Sequence, residues 1–168
     1  MAFAPSTTTS GNARNCKRSD VAELMSFKMK ANQQIWKGDI VVVDVTDGYV
    51  WALQSDAAGL LDTGDTFAGI AAESVLSCAT AGVTRINVYV TGIFQMKDVT
   101  DALAVTDMGV EAYGDATVLG NGTSSCVTKT ATPANLLKVG RFMPPLAANT
   151  TTPYIRINGY AGCRAASS

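Results

Sequence analysis

The sequence predicts an all-β fold: a single small β-barrel or sandwich of about ten short strands, preceded by an extended N-terminal arm. Three observations carry that expectation. The chain holds 19 Thr and 11 Ser but only 3 Glu, and threonine favours strands where glutamate favours helices. Turn signals recur through most of the chain, among them Asp47-Gly48, Gly64-Asp65, Gly114-Asp115 and Asn121-Gly122. Between them the apolar residues alternate: Ile86, Val88 and Val90 fall on one side, with Arg85, Asn87 and Tyr89 on the other. At 168 residues the chain suits one domain, and about 70% of the unfolded surface of such a chain can be buried without metals or disulfides.

Residues 1–25 read as an arm and 26–168 as the β domain. Within the arm, residues 1–20 contain Ser, Thr, Asn, Gly and Pro5, with Phe3 the only large apolar side chain after Met1. Such a segment buries too little to offset its ordering entropy, so it is expected to be disordered when free. It then has two readings, a terminus without a role or a segment that orders on a partner. Residues 20–31 carry mixed signals. Asp20 with Glu23 resembles a helix start, but 26–31 alternate with Phe27, Met29 and Ala31 on one side, which favours a strand.

The β-branched run at 39–45 is followed by Asp47-Gly48 and a second run at 49–53, the pattern of a hairpin with a type I′ turn. Further strands are expected at 66–73, 83–91, 93–97, 108–113, 117–119, 125–130, 137–143 and 154–160. Residues 98–105 and 131–137 are each candidates for a single helical turn. No repeat and no domain boundary is visible inside 26–160.

Net charge is −1, so nothing pulls the whole chain toward nucleic acid. The charge is uneven, however. Residues 1–30 hold five basic and two acidic side chains, and 31–168 hold eight basic and twelve acidic ones. The result is a mildly acidic body with a basic lead-in. Residues 1–10 lack the basic and apolar regions of a signal peptide, and no run has the 18–20 apolar residues of a membrane span. Cys16, Cys78, Cys126 and Cys163 lie far apart and form no CxxC, so reduced, packed thiols are expected rather than disulfides.

There is no histidine, which removes Ser-His-Asp and Cys-His catalysis and the commonest general base. The acids stand mostly beside Gly or Thr, where Asp bonds its own backbone in a turn. Asp44, Asp47, Asp62 and Asp65 do not have the spacing of a calcium loop. No catalytic residue, metal or cofactor is therefore expected. Asn121 and Asn149 match the glycosylation pattern but are discounted without an export signal. Trp36 and Trp51 are expected in the core, as are Phe94 and Phe142, with Tyr89, Tyr113 and Tyr154 in core or rim positions.

Five motifs come in order: IWKGDIVVVD at 35–44, FAGIA at 67–71, VYVTGIF at 88–94, MGVEAY at 108–113 and VGRF at 139–142. Together they resemble the small β-barrel decoration, or cement, proteins of tailed bacteriophages, over roughly residues 35–160. The arm and the stretch at 117–133 fall outside that pattern. The resemblance implies a structural virion protein on the outer surface of the capsid, made in the host cytoplasm. Its partner would be the major capsid protein, and it would commonly be a homotrimer bridging capsomers. In that setting the arm would contact the capsid or a neighbouring copy through Phe3, Arg14, Lys17 and Arg18. The rival expectation is a non-catalytic tail-fibre or adhesin domain that binds a glycan, for which Trp51 with Asp56 is the only candidate platform.

Overall fold

The computed structural model describes residues 22–53, 64–96, 98–99, 101–115, 126–131, 137–148 and 150–158. Among the described residues the secondary structure is eleven strands and one short 3₁₀ turn at Val105–Asp107. The strands are β1 (Leu24–Lys28), β2 (Ile40–Val43), β3 (Val50–Ala52), β4 (Thr66–Ala71), β5 (Arg85–Tyr89), β6 (Thr91–Gln95), β7 (Asp98–Val99), β8 (Glu111–Gly114), β9 (Cys126–Thr128), β10 (Lys138–Met143) and β11 (Tyr154–Asn158). The expected all-β architecture is what forms, as two packed sheets rather than a closed barrel. The first sheet has the order β1-β5-β4-β2-β3 and the second β6-β11-β10-β8-β9-β7. Every pairing is antiparallel except β7 with β9. β5 runs through Val90 into β6, so one bent stretch of chain passes from the first sheet to the second.

The β4-β2-β3 part of the first sheet is buried on both faces, which explains why β2 and β3 are apolar without alternation. Ile40, Val42, Trp51, Leu53, Phe67 and Ile70 face the second sheet, where Phe94, Val139, Phe142, Ile155 and Ile157 meet them. Val41, Val43, Val50, Ala52, Ala68, Ile86 and Val88 face the other way into a second cluster. That cluster exists because the sheet curls. Met29, just after β1, bridges Val50 on β3, and the Lys30 amide donates to the Val50 carbonyl at 2.9 Å. Met29, Ile35 and Cys78 fill the concave side.

Strict alternation along FAGIA would put Phe67 and Ile70 on opposite faces. A bulge resolves this: Val41 pairs with Gly69 and Val42 with Phe67, leaving Ala68 extra. Both large side chains then reach the inter-sheet core. VGRF repeats the device on β10. Lys138 pairs with Tyr113 and Gly140 with Ala112, so Val139 and Phe142 share a face. At both bulges the glycine is required by space. A Cβ on Gly69 would lie 2.1 Å from the Tyr89 carbonyl oxygen, and one on Gly140 would lie 2.2 Å from that of Arg156.

The expected hairpin at 47–48 is present, but its turn is not type I′. Gly48 has φ 72° while Asp47 is not in the positive-φ region. The Asp44 amide donates to Tyr49 and the Gly48 amide to Asp44, both at 2.9 Å, closing a longer loop. Asp44 uses its carboxylate to hold that loop, and this overrides the dipeptide's preference for the tightest turn. The strand expected at 26–31 is β1, which begins two residues earlier and ends three residues earlier. The strand expected at 108–113 begins only at Glu111, because Met108 and Gly109 complete the 3₁₀ turn. The strand at 117–119 and the turn at 121–122 lie outside the described residues.

Candidate functional site

The acidic residues come first, because catalysis or metal binding would need them. Asp47 Oδ1 accepts the Tyr49 amide at 2.9 Å, Asp65 Oδ1 the Val45 amide at 2.9 Å, and Asp39 Oδ2 the Trp36 amide at 2.7 Å. Asp101 Oδ2 accepts the Lys129 and Thr130 amides and the Thr128 hydroxyl. Asp107 Oδ2 accepts the Ala104 amide at 2.7 Å and the Lys129 ammonium at 2.9 Å. Each carboxylate ties a loop to itself or to a neighbouring strand. Among the described residues no three His, Cys, Asp or Glu side chains gather as metal ligands.

The charges follow the same logic. Burial works to raise the Asp44 carboxyl, but the Lys30 ammonium and the Thr46 amide outweigh it and its pKa is lowered. Burial likewise works against the Lys30 ammonium, yet Asp44, with the charges of Asp47 and Asp65, raises its pKa. Asp101 is lowered because its three hydrogen bonds overcome its burial. These are stabilised ion pairs and turn carboxylates, not groups tuned toward proton transfer near neutral pH.

Trp51 is 7% exposed in the inter-sheet core, so it offers no platform to a glycan. Trp36 is half-buried. The indole Nε1 atoms of both are buried without an acceptor among the described residues. Phe94 and Phe142 are core, while Tyr89, Tyr113 and Tyr154 are half-buried. Tyr89 packs on Phe94 with ring centroids 5.5 Å apart, bracing the β5–β6 bend. Cys78 and Cys126 are buried and form no disulfide. Asp56, Cys16, Cys163 and the arm residues Phe3, Arg14, Lys17 and Arg18 lie outside the described residues.

What remains is surface, and three parts of it depart from an ordinary solvated β face. The outer side of the second sheet sets Arg141 directly opposite Arg156, an unfavourable cross-strand pair on a body rich in acids. Beside them, Glu111 binds the Lys138 ammonium, approaches Arg141 at 3.7 Å and accepts the Tyr113 hydroxyl at 2.9 Å. The Lys138 bond is the largest influence holding Glu111 below its ordinary pKa, while burial followed by Glu111 raises Tyr113. A second region is the 3₁₀ turn, where Val105, Met108 and Val110 are 53%, 44% and 38% exposed. The third is β1, with Leu24 50% and Met25 43% exposed. The sequence signals were weak for all three. The pattern at 108–113 predicts strand where Met108 and Gly109 complete the turn, and an arginine facing an arginine depends on a register no local pattern states.

No family model matches the chain, and no curated protein matches it.

Proposed function

We propose that this chain is a structural virion protein, a capsid decoration or cement protein that binds the outside of a tailed-phage head and bridges neighbouring capsomers. It acts by contact with the major capsid protein, without catalysis and without a cofactor, as a homo-oligomer for which a trimer is the expected form. The observation that carries this reading is where the five motifs fall. They lie on β2, β4, the β5–β6 bend, β8 with its preceding turn, and β10. Two of their glycines occupy bulges where no side chain fits. The resemblance thus rests on residues that the framework needs, not on interchangeable surface positions.

The physics of the surface supports the same reading. Charged residues are 16% of the chain, below the roughly 25% of an ordinary domain, so contact desolvates few charges. Many equivalent sites on one head convert a modest interface per copy into strong overall attachment. The test is co-sedimentation of the purified full chain with expanded, undecorated phage heads. Saturable pelleting at a fixed ratio to the major capsid protein is expected. A chain that stays in the supernatant while the heads pellet overturns the proposal.

A further inference from the structure

β1 ends the first sheet, and its hydrogen-bonding pattern shows which of its main-chain groups face outward. The Val90 amide donates to Glu23 and the Met29 amide to Thr84, both at 2.9 Å. With the register Leu24–Tyr89 through Lys28–Arg85, these bonds place the odd-numbered residues of β1 in bonded pairs with β5. Leu24, Ser26 and Lys28 therefore turn their amides and carbonyls away from the sheet. The next residue of that set, Lys30, has its amide on the Val50 carbonyl, where the curled sheet meets itself. Along Leu24–Lys28 the described residues supply one partner to these groups: Arg85 Nη2 reaches the Ser26 carbonyl at 3.0 Å, with its Nε on Ser26 Oγ at 3.0 Å. An open edge with exposed Leu24 and Met25 is a template for an added strand.

The chain itself contains a segment that fits. Residues 6–10, STTTS, match the five residues of β1 in length and are rich in strand-forming threonine. They are bounded by Pro5, which has no amide to donate, and by Gly11-Asn12, a turn signal. Ala22 and Glu23 carry the chain past the end of β5. Glu23 donates its amide to Thr91 Oγ1 at 3.0 Å, and a Cβ on Gly92 would lie 3.6 Å from the Ala22 Cβ, so the chain comes in beside β6. The 21 residues before Ala22 reach about 70 Å when extended, against about 40 Å for the width of a domain this size. The arm is long enough to cross onto a neighbour.

We infer that the outer edge of β1 receives residues 6–10 of a second copy of this chain as an added strand. The added main-chain bonds satisfy Leu24, Ser26 and Lys28, the Arg85 guanidinium moves off the Ser26 carbonyl, and the incoming strand covers Leu24 and Met25. This association is independent of capsid binding.

Amide exchange tests it with built-in controls. The sample is the full chain carrying Thr8→Pro, isotope-labelled, with and without an equal amount of unlabelled unmutated chain. Thr8→Pro removes the central donor of the donated strand but leaves β1 intact as acceptor. Addition of the unmutated chain is expected to slow exchange at Leu24, Ser26 and Lys28 by about tenfold or more, while Met25 and Phe27, bonded to β5, stay unchanged. Unchanged exchange at the three outward amides overturns the proposal. So does protection in the unmutated chain alone that is independent of concentration, because the arm then serves its own β1. Ser26→Pro, which removes an outward donor from the acceptor, is expected to abolish self-association in sedimentation. Self-association of either variant equal to that of the unmutated chain also refutes the inference.

Discussion

Replacing Gly140 with alanine puts a methyl group into the backbone of the neighbouring strand. The new Cβ would stand 2.2 Å from the Arg156 carbonyl oxygen, 3.0 Å from its carbon and 3.4 Å from the Ile157 Cα. Carbon and oxygen normally approach no closer than about 3.2 Å, so β10 and β11 must part by about 1 Å. Overpacking of that kind costs about 1–3 kcal/mol, and each main-chain bond lost from the ladder adds about 1 kcal/mol. The lower entropy of the unfolded alanine chain returns at most about 1 kcal/mol. Gly140→Ala is therefore expected to destabilise the protein by about 3 kcal/mol. Gly48→Ala is the matched control. Gly48 has φ 72° with nothing within 4 Å of a built Cβ, so alanine there meets only the left-handed penalty, about 1 kcal/mol. Urea unfolding of both variants measures the contrast through the transition midpoint at constant slope. A Gly140→Ala midpoint within 1 kcal/mol of the unmutated protein, or a larger loss for Gly48→Ala, would refute the steric reasoning.

Lys30→Met leaves the Asp44 carboxylate, in a residue only 4% exposed, without its cation, and is expected to cost about 1–3 kcal/mol at neutral pH. The pH dependence has a definite sign. Asp44 is lowered in the folded state, so its contribution is present above its ordinary unfolded value of 3.8 and disappears as pH falls through the folded pKa. Stability curves of the variant and the unmutated protein should therefore converge on acidification, and a gap that persists at the acid end would contradict the pairing. Phe67→Ala opens a cavity between the sheets, with an expected loss of about 3–5 kcal/mol in thermal or urea unfolding. Cys78 and Cys126 should resist alkylation in the native protein and react fully in denaturant without reductant, as followed by mass spectrometry.

The parts of the fold legible in the sequence were those encoded by short-range pattern. The alternation at Ile86, Val88 and Val90 placed β5 and its buried face, and the β-branched run at 39–45 placed β2. The turn role of the acids followed from their Gly and Thr neighbours. What escaped was set by distant partners. That β2 and β3 are buried on both sides depends on Met29 meeting Val50, a contact between strands with the hairpin loop and the curl of a sheet between them. The bulges at Ala68 and Val139 break period two, and only the facing strands show where the count shifts. The Arg141–Arg156 pairing and the open edge of β1 likewise arise from register. The arm contacts assigned to Phe3, Arg14, Lys17 and Arg18 rest on composition, and those residues lie outside the described ones.

The division of the chain at Val90 has a consequence for synthesis on the ribosome. All five strands of the first sheet precede that residue, and all six of the second follow it. The first sheet, with the cluster on its concave side, can therefore assemble while the rest is still being translated. The second cannot, because β6 emerges early and its partner β11 emerges only after β7, β8, β9 and β10. During that interval the inter-sheet face of the nascent chain, including Ile40, Val42, Phe67 and Ile70, has no cover. Folding is thus gated by the arrival of Tyr154–Asn158, and a ribosome stalled before that point would present a half-built, adhesive intermediate.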